Sequence, residues 1–430
     1  MREMKDSGIS WVGEIPLKWN VYRNKEGFIN TKTIVGENSK NTPLLSLTTK
    51  GIKLKDIDNP EGKQPESFDT YQCVEINDLV MCLFDLDISA VFSGLSSYDG
   101  MISPAYKVLK CNKRINAKYA DYWFRYIFDG RKFNQYAKNI RYTLTYDVFS
   151  ALPMLYPSVE EQKDIADYLD TKCAQIDTII AKEQSVIEKL QEYKESIINE
   201  AVTKGIDIQV EFKPSGYDFI GDIPKSWKQL KVRYLGLLQN GISKSGNYFG
   251  HGMPFISYKD VYSSFVIPNQ LDGLIESTKE EQEKYSVQSG DIFFTRTSET
   301  IDEIGISSVC KKTILYATFS GFLIRLRLIN NIISPDWAKY YFRSNHLRAY
   351  FVKEMNLVTR ASLSQELLKS LPVLIPSQEE QNKIIKYLDV KCNTIDSIIL
   401  KKQALIDKLT EYKKSLIYEV VTGKKEVPHV

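Results

Sequence analysis

Histidine is scarce in this chain, with three in 430 residues. The six cysteines, Cys73, Cys82, Cys111, Cys173, Cys310 and Cys392, form no Cys-x-x-Cys pair. These scarcities argue against a Cys/His zinc site and leave reduced, mostly buried thiols as the expectation. No apolar run approaches the ~18 residues of a membrane span. The opening Met1-Arg2-Glu3-Met4-Lys5-Asp6 lacks the apolar stretch of a signal peptide, so a cytoplasmic location is expected. A phosphate loop is missing too, because Gly62-Lys63 and Gly423-Lys424 lack an upstream glycine at the required spacing. Asp58-Asn59-Pro60-Glu61 approaches the Asn/Asp-Pro-Pro-aromatic loop of an amino-methyltransferase but lacks the second proline and the aromatic. Pro335-Asp336 with Glu411-Tyr412-Lys413 mimics the carboxylates and lysine of a metal nuclease. Glu-Tyr-Lys recurs at 192–194 with no Pro-Asp in the matching place, which makes it a solvated helix face. His251, His346 and His429 have no evident nucleophile partner. The chain reads as non-catalytic, with no metal or cofactor of its own.

Apolar residues (43%) and aromatics (12%) are plentiful, and the length is too great for one core, so two or more domains are expected. The net charge of +3 is weak, but its distribution is uneven. Residues 107–142 carry ten Lys/Arg against Asp121 and Asp129, and residues 311–360 carry nine against Asp336 and Glu354. Aromatics lie between these charges. Two phosphate-facing surfaces and two solvated helix faces are both compatible with that pattern.

The strongest signal is an internal repeat. Residues 152–203 and 371–422 align without a gap at a shift of 219, with 31 of 52 positions identical. Each half also opens alike: Gly13-Glu14-Ile15-Pro16-x-x-Trp19 matches Gly221-Asp222-Ile223-Pro224-x-x-Trp227. Fainter echoes, such as Asp78-Leu79-Val80 with Asp291-Ile292-Phe293, lie between. The order is globule, helix, globule, helix, with boundaries at 1–151, 152–205, 206–370 and 371–430. The helical units barely differ, whereas the globules differ over most of their length. That contrast suggests two copies of one partner and two different ligands, or two halves of one asymmetric ligand.

Pro157-Ser158-x-Glu160-Glu161 and Pro376-Ser377-x-Glu379-Glu380 each read as a capping box opening a helix. No Pro or Gly follows until Gly205 or Gly423. Apolar residues then recur at spacings of four and three: Leu169, Cys173, Ile176, Ile180, Ile187, Leu190 and Ile197, and Leu388, Cys392, Ile395, Ile399, Ile406, Leu409 and Leu416. This is a coiled-coil seam, interrupted at Glu183, Lys402, Lys194 and Lys413, where polar residues can set register. A helix over 158–203 would be roughly 69 Å long. Matching seams make each helix the natural partner of the other, antiparallel. The globules show short β-rich runs at 43–48, 79–84 and 104–109, and at 254–258, 291–295 and 321–328. A helix is expected near 117–128 and near 335–344, the latter with Ser334 as N-cap and Pro335 at its first position. The fold class is therefore an α/β (α+β) tandem repeat: two mixed α/β domains and two long helices forming an antiparallel coiled coil.

The paired Gly-x-Ile-Pro-x-x-Trp openings, the paired Leu-Pro-x-Leu-x-Pro-Ser-x-Glu-Glu-Gln-x-x-Ile…Tyr-Leu-Asp segments and Asp99-Gly-Met-Ile-Ser-Pro-Ala-Tyr106 resemble the specificity (S) subunit of type I restriction-modification enzymes. The resemblance covers essentially the whole chain. It implies two target recognition domains that each read half of a bipartite, asymmetric site in double-stranded DNA. It implies helices that dock two methyltransferase (modification) subunits, which restriction/translocase subunits join in host defence. S-adenosylmethionine, ATP and Mg would sit on those partners, and no membrane is involved. Charge and position nominate DNA-facing residues: Lys50, Lys53, Asp85, Asp87, Ser89 and Arg141 in the first globule, and Lys244, Ser245, Lys259, Arg296, Thr297, Ser298 and Arg360 in the second. Arg141 and Arg360 occupy matching places and could instead tie each globule to its helix. Three rival readings remain at this point: the specificity subunit of a fused restriction-methylation system, a coiled-coil adaptor that binds no DNA, and an enzyme in its own right, which no motif supports and detectable methyl transfer by the purified chain would revive.

Overall fold

The computed structural model describes residues 2–56, 65–89, 91–137, 142–207, 209–298, 300, 303–347, 350–351 and 361–428. The chain divides into two units, residues 1–184 with 403–430 and residues 185–402. Each holds one globule and a segment of each long helix.

In the first unit a four-stranded antiparallel sheet runs in the order Phe28–Thr31, Lys107–Cys111, Leu79–Met81, Ser93–Leu95. The second unit repeats that order with Gly236–Asn240, Leu323–Leu328, Ile292–Thr295 and Ser307–Val309. Both central strands are buried along their whole length, which is why Leu79-Val80-Met81 and Ile292-Phe293-Phe294 read as unbroken apolar runs. Each central strand begins at a buried aspartate that accepts the backbone N–H three residues earlier: Glu75 N to Asp78 Oδ2 and Gln288 N to Asp291 Oδ2, both 2.8 Å. That contact accounts for the shared Asp-apolar-apolar echo. Smaller sheets complete each globule. The first has the hairpin Leu45–Thr48/Gly51–Leu54 and the pair Gln72–Val74/Gly100–Ile102. The second has Phe249–Ile256 flanked by Leu274–Ile275 and Thr318–Phe319.

Helix Ala117–Asp129 packs on strand Ser93–Leu95, and helix Pro335–Tyr341 packs on Ser307–Val309. Ser334 caps the latter by accepting Trp337 N at 3.1 Å, with Pro335 at the first turn. This helix stops short of the expected 344. Beyond Tyr341 the chain turns, and the Arg343 guanidinium donates to the carbonyls of Val261, Tyr262, Ser264 and Ser307.

The long helices run Val159–Lys204 and Gln378–Val421, each followed by a glycine in the left-handed region, Gly205 (φ 79°) and Gly423 (φ 72°). Ser158 Oγ accepts Glu161 N at 3.2 Å and Ser377 Oγ accepts Glu380 N at 3.3 Å, one half of each expected capping box. The glutamates face elsewhere: Glu161 Oε2 accepts Trp19 Nε1 at 2.9 Å, and Glu380 Oε1 accepts Trp227 Nε1 at 2.8 Å. The next residue is a staple. Gln162, fully buried, donates to Arg114 O and Pro157 O and accepts Asn116 N, the N-cap of the globule's helix. Gln381 does the same with Ile332 O, Pro376 O and Ser334 N.

Within the second unit, Ile198, Ala201 and Val202 of the first helix share one core with Ile384, Leu388 and Cys392 of the second and with the globule's Trp227 and Trp337. Within the first unit, Leu169, Cys173 and Ile176 share a core with Leu416, Ile417, Val420 and Val421 and with Trp19 and Trp123. The opposed numbering gives antiparallel segments in both units. Each globule's core is thus closed by the start of the helix that follows it and the end of the other.

Candidate nucleic-acid interface

The second unit brings several nominated residues onto neighbouring extended segments. Thr295, at the end of the central strand, is buried and donates from Oγ1 to Glu303 O at 2.6 Å. Past it the chain reaches the surface. Arg296 N donates to Phe322 O at 2.8 Å, and Leu363 N donates to Arg296 O at 2.7 Å. Thr297 and Ser298 pair with Ser362 and Ala361. On the far side of Phe322, Gly321 N donates to Ile242 O at 2.7 Å. Residues 242–244, 320–322, 296–298 and 361–363 therefore run side by side. Lys244 belongs to this row, but its ammonium is held by Glu281 Oε2 at 2.6 Å and Glu276 O at 2.9 Å. Ser298 Oγ bonds Glu303 Oε2, and Arg296 reaches Gly321 O at 3.3 Å. Ser245 is exposed before the turn Gly246–Tyr248, and Lys259 is exposed on helix Tyr258–Ser263. Arg360 lies outside the described residues.

The first unit carries the same backbone plan with different side chains. Leu144 N donates to Leu83 O at 2.7 Å, as Leu363 N does to Arg296 O. Past Met81↔Lys107 the first unit's ladder gives way to a turn at Ser103–Tyr106, and Leu83, at the place of Arg296, is buried. Lys50 and Lys53 are exposed on the Leu45–Leu54 hairpin. Asp85 holds a left-handed turn (φ 51°), and its carbonyl accepts Ile88 N at 3.2 Å and Ser89 N at 2.7 Å. Ser89 Oγ donates to Val91 O at 2.6 Å, while Asp87 and Ile88 face solvent. Arg141 lies outside the described residues, as do Asp58 to Lys63 and His429.

Several charges of the two basic segments are paired within their own unit. Arg125 pairs with Asp121, Lys118 with Asp170, Lys110 with Glu75, Lys339 with Asp389 and Arg327 with the buried Asp291. Burial pulls the Arg325 and Arg343 guanidinium groups down to about 10. These partners lie 4 to 52 residues away in sequence, too scattered to show as a local pattern. His346 is almost fully buried, with Nδ1 2.8 Å from Ser344 Oγ and 3.1 Å from Asn199 Oδ1, and burial pushes its pKa down to about 3.

The seam residues are mostly where the heptad reading puts them. Leu169, Cys173, Ile176, Ile187, Leu388, Cys392, Ile395 and Ile406 are buried, and Ile180, Leu190, Ile399 and Leu409 are half-buried. Burial raises the Cys173 and Cys392 thiols above their ordinary range. At two of the polar interruptions the partner lies across the helix pair: Lys194 Nζ lies 2.7 Å from both Asp396 carboxylate oxygens, and Lys413 Nζ lies 2.6 and 2.7 Å from those of Asp177. Three features were missed in the sequence. The invariant spacing of Gln162 and Gln381 was available there as a signal, whereas nothing local marks Phe322. A second stripe was also available, the exposed apolar Ile179, Val186 and Tyr193 of the first helix and Ile398, Leu405 and Tyr412 of the second, each spaced by seven.

Among the described residues no group of three His, Cys, Asp or Glu is placed to hold a metal ion, and no helix is long and apolar enough to cross a membrane. Residues 224–409 match the family described as the type I restriction modification DNA specificity domain. The chain is 25% identical over 285 residues to the EcoKI specificity subunit of Escherichia coli K12, covering 61% of this chain and 56% of that one. It is 23% identical over 279 residues to the StySPI specificity subunit of Salmonella potsdam, covering 64% and 58%. The chain thus spans little more than half the length of these curated relatives. A chain from a solved structure of a type I restriction–modification system superposes with a TM-score of 0.72 at 14% identity, covering 96% of this chain and 99% of that one. The HsdS subunit of Thermoanaerobacter tengcongensis gives 0.51 at 14% identity over 96% and 98%. The chain is thus similar to the specificity subunits of type I restriction enzymes in its matched domain and its curated relatives, and it shares the fold of those solved structures.

Proposed function

We propose that this chain is the DNA-specificity subunit of a type I restriction-modification complex. It performs no chemistry itself. Each unit reads one half of a bipartite, asymmetric site in double-stranded DNA. The observation that carries this reading is the contrast between the units: one sheet order and one set of helix staples are kept, while past the central strand the second unit has the half-buried Arg296 where the first has the buried Leu83. A shared scaffold with altered surface groups is what two modules need when they face different bases, because base-edge contacts specify and phosphate contacts only position. The expected cations for positioning are Lys50, Lys53 and Lys259, which are exposed.

The exposed stripes Ile179/Val186/Tyr193 and Ile398/Leu405/Tyr412 support docking of two copies of one helical partner, the methyltransferase subunit. S-adenosylmethionine would belong to that partner, and ATP and Mg to restriction subunits that join it. Long-read mapping of adenine methylation tests the reading, in cells that express the neighbouring methyltransferase with and without this chain. A bipartite motif present only with the chain is expected. Methylation that ignores the chain, with both proteins well expressed, would remove the specificity role.

A further inference from the structure

A lone exposed apolar side chain is ordinary on a protein surface. Phe322 is not ordinary in its setting. Its side chain is 59% exposed, yet its backbone is fixed on three sides. Its carbonyl accepts Arg296 N at 2.8 Å, its own N–H donates to Ser320 Oγ at 3.2 Å, and the preceding Gly321 N–H donates to Ile242 O. A side chain at Gly321 would collide with Ser243 Oγ, so the strand bearing Phe322 lies close against the 242–244 segment. The ring therefore projects from a rigid sheet-like row, with the half-buried Arg296 on the adjoining segment and the hydroxyl residues Thr297 and Ser298 beyond it. A preset aromatic beside a guanidinium offers one apolar and one cationic contact at fixed spacing. That combination suits the edge of a base pair: an apolar group meets a pyrimidine edge or thymine methyl, and an arginine meets guanine or a phosphate. In the first unit the matching bond, Leu144 N to Leu83 O, falls on a buried leucine, so the guanidinium of this place belongs to the second unit.

We propose that Phe322 is a base-contacting residue of the second unit, supplying apolar contact at one or two adjacent positions of its DNA half-site beside Arg296. This rests on the DNA-specificity reading above. The test uses the whole chain with its methyltransferase, as wild type, Phe322→Ala and Phe322→Leu. Methylation maps define the motif, and binding is measured on the mapped duplex, on its single-base variants and on scrambled DNA at several salt concentrations. Phe322→Ala should weaken cognate binding roughly 10- to 100-fold. Discrimination should relax at one or two positions of one half-site only, with binding to scrambled DNA and the salt slope unchanged, since no phosphate contact is lost. Phe322→Leu should retain most of the preference. An unchanged Phe322→Ala profile overturns the inference, as does equal loss on cognate and scrambled DNA or relaxation in both halves. A wild-type map with no bipartite motif overturns the specificity reading as well, so the two failures are told apart. Because the side chain is exposed, an unaltered unfolding midpoint verifies that the variant folds.

Discussion

At the scale of single residues, the repeated motif letters turn out to be contacts. The tryptophan of each Gly-x-Ile-Pro-x-x-Trp segment donates to the second glutamate of each Pro-Ser-x-Glu-Glu-Gln segment, which ties the opening of a globule to the head of a helix 142 or 153 residues away. The glutamine after it staples the same helix to the globule's other helix. One residue without a counterpart in the first unit makes a pH prediction. His346 sits between Ser344 and Asn199 with its Nε2 buried and unpartnered. Asn199 Oδ1 can only accept, so Nδ1 carries the proton of the neutral ring. Protonating Nε2 would place a charge in an apolar pocket, which is why its pKa falls to about 3. The unfolded chain takes up that proton near pH 6.5, so the native state binds fewer protons below this value. Stability is complete above about pH 6.5 and falls as the pH drops toward 3. At pH 5.5 the loss is about 1.4 kcal/mol. Urea unfolding at pH 7.5 and 5.5 should show this difference in the wild type, and His346→Gln should reduce it. An equal pH dependence in both proteins would mean that His346 does not titrate on unfolding.

At the scale of elements, the long helices combine apolar and charged contacts of very unequal worth. Leu388 is fully buried among Cys392, Ile384, Trp227 and Trp337. Leu388→Ala should therefore cost about 2–5 kcal/mol, through lost transfer energy and a cavity. Lys194 and Asp396 are partly solvated, so breaking their ion pair by Lys194→Ala should change stability by no more than about 1 kcal/mol. Denaturant midpoints at constant slope check both numbers. A large Lys194→Ala cost with a small Leu388→Ala cost would reverse the assignment of seam and rim. Helices, caps, glycine stops and seam were legible because they depend on spacings within a few turns of one segment. The repeated tryptophans were legible as a shared motif, but their partners were not. The same holds for the internal ion pairs of the basic segments and for Phe322. These depend on which strands adjoin, and strand order is a long-range property that no local period encodes. The capping box shows the limit within a single motif: the serine half was readable, while the glutamate's real partner lay in another segment.

At the scale of the whole molecule, the repeat is a device for changing a surface without changing its support. The core of the first unit is closed by Leu169, Cys173 and Ile176 from one helix and by Leu416, Ile417, Val420 and Val421 from the other. Matching positions close the second unit: Leu388 and Cys392 against Ile198, Ala201 and Val202. The helix segments on which either globule rests are thus nearly interchangeable, and a foreign globule that keeps the tryptophan pin and the strand before the helix should meet the bed it needs. Replacing residues 20–151 with the corresponding segment of another subunit of this kind keeps Trp19, Glu161 and Gln162 in place. On the function proposed above, the chimera should fold, assemble with the same methyltransferase, and change one half of the methylated motif while leaving the other intact. Methylation mapping of the chimera reads this directly. A change in both halves would mean that the units do not read independently, and the division between constant helices and exchangeable globules would have to be abandoned.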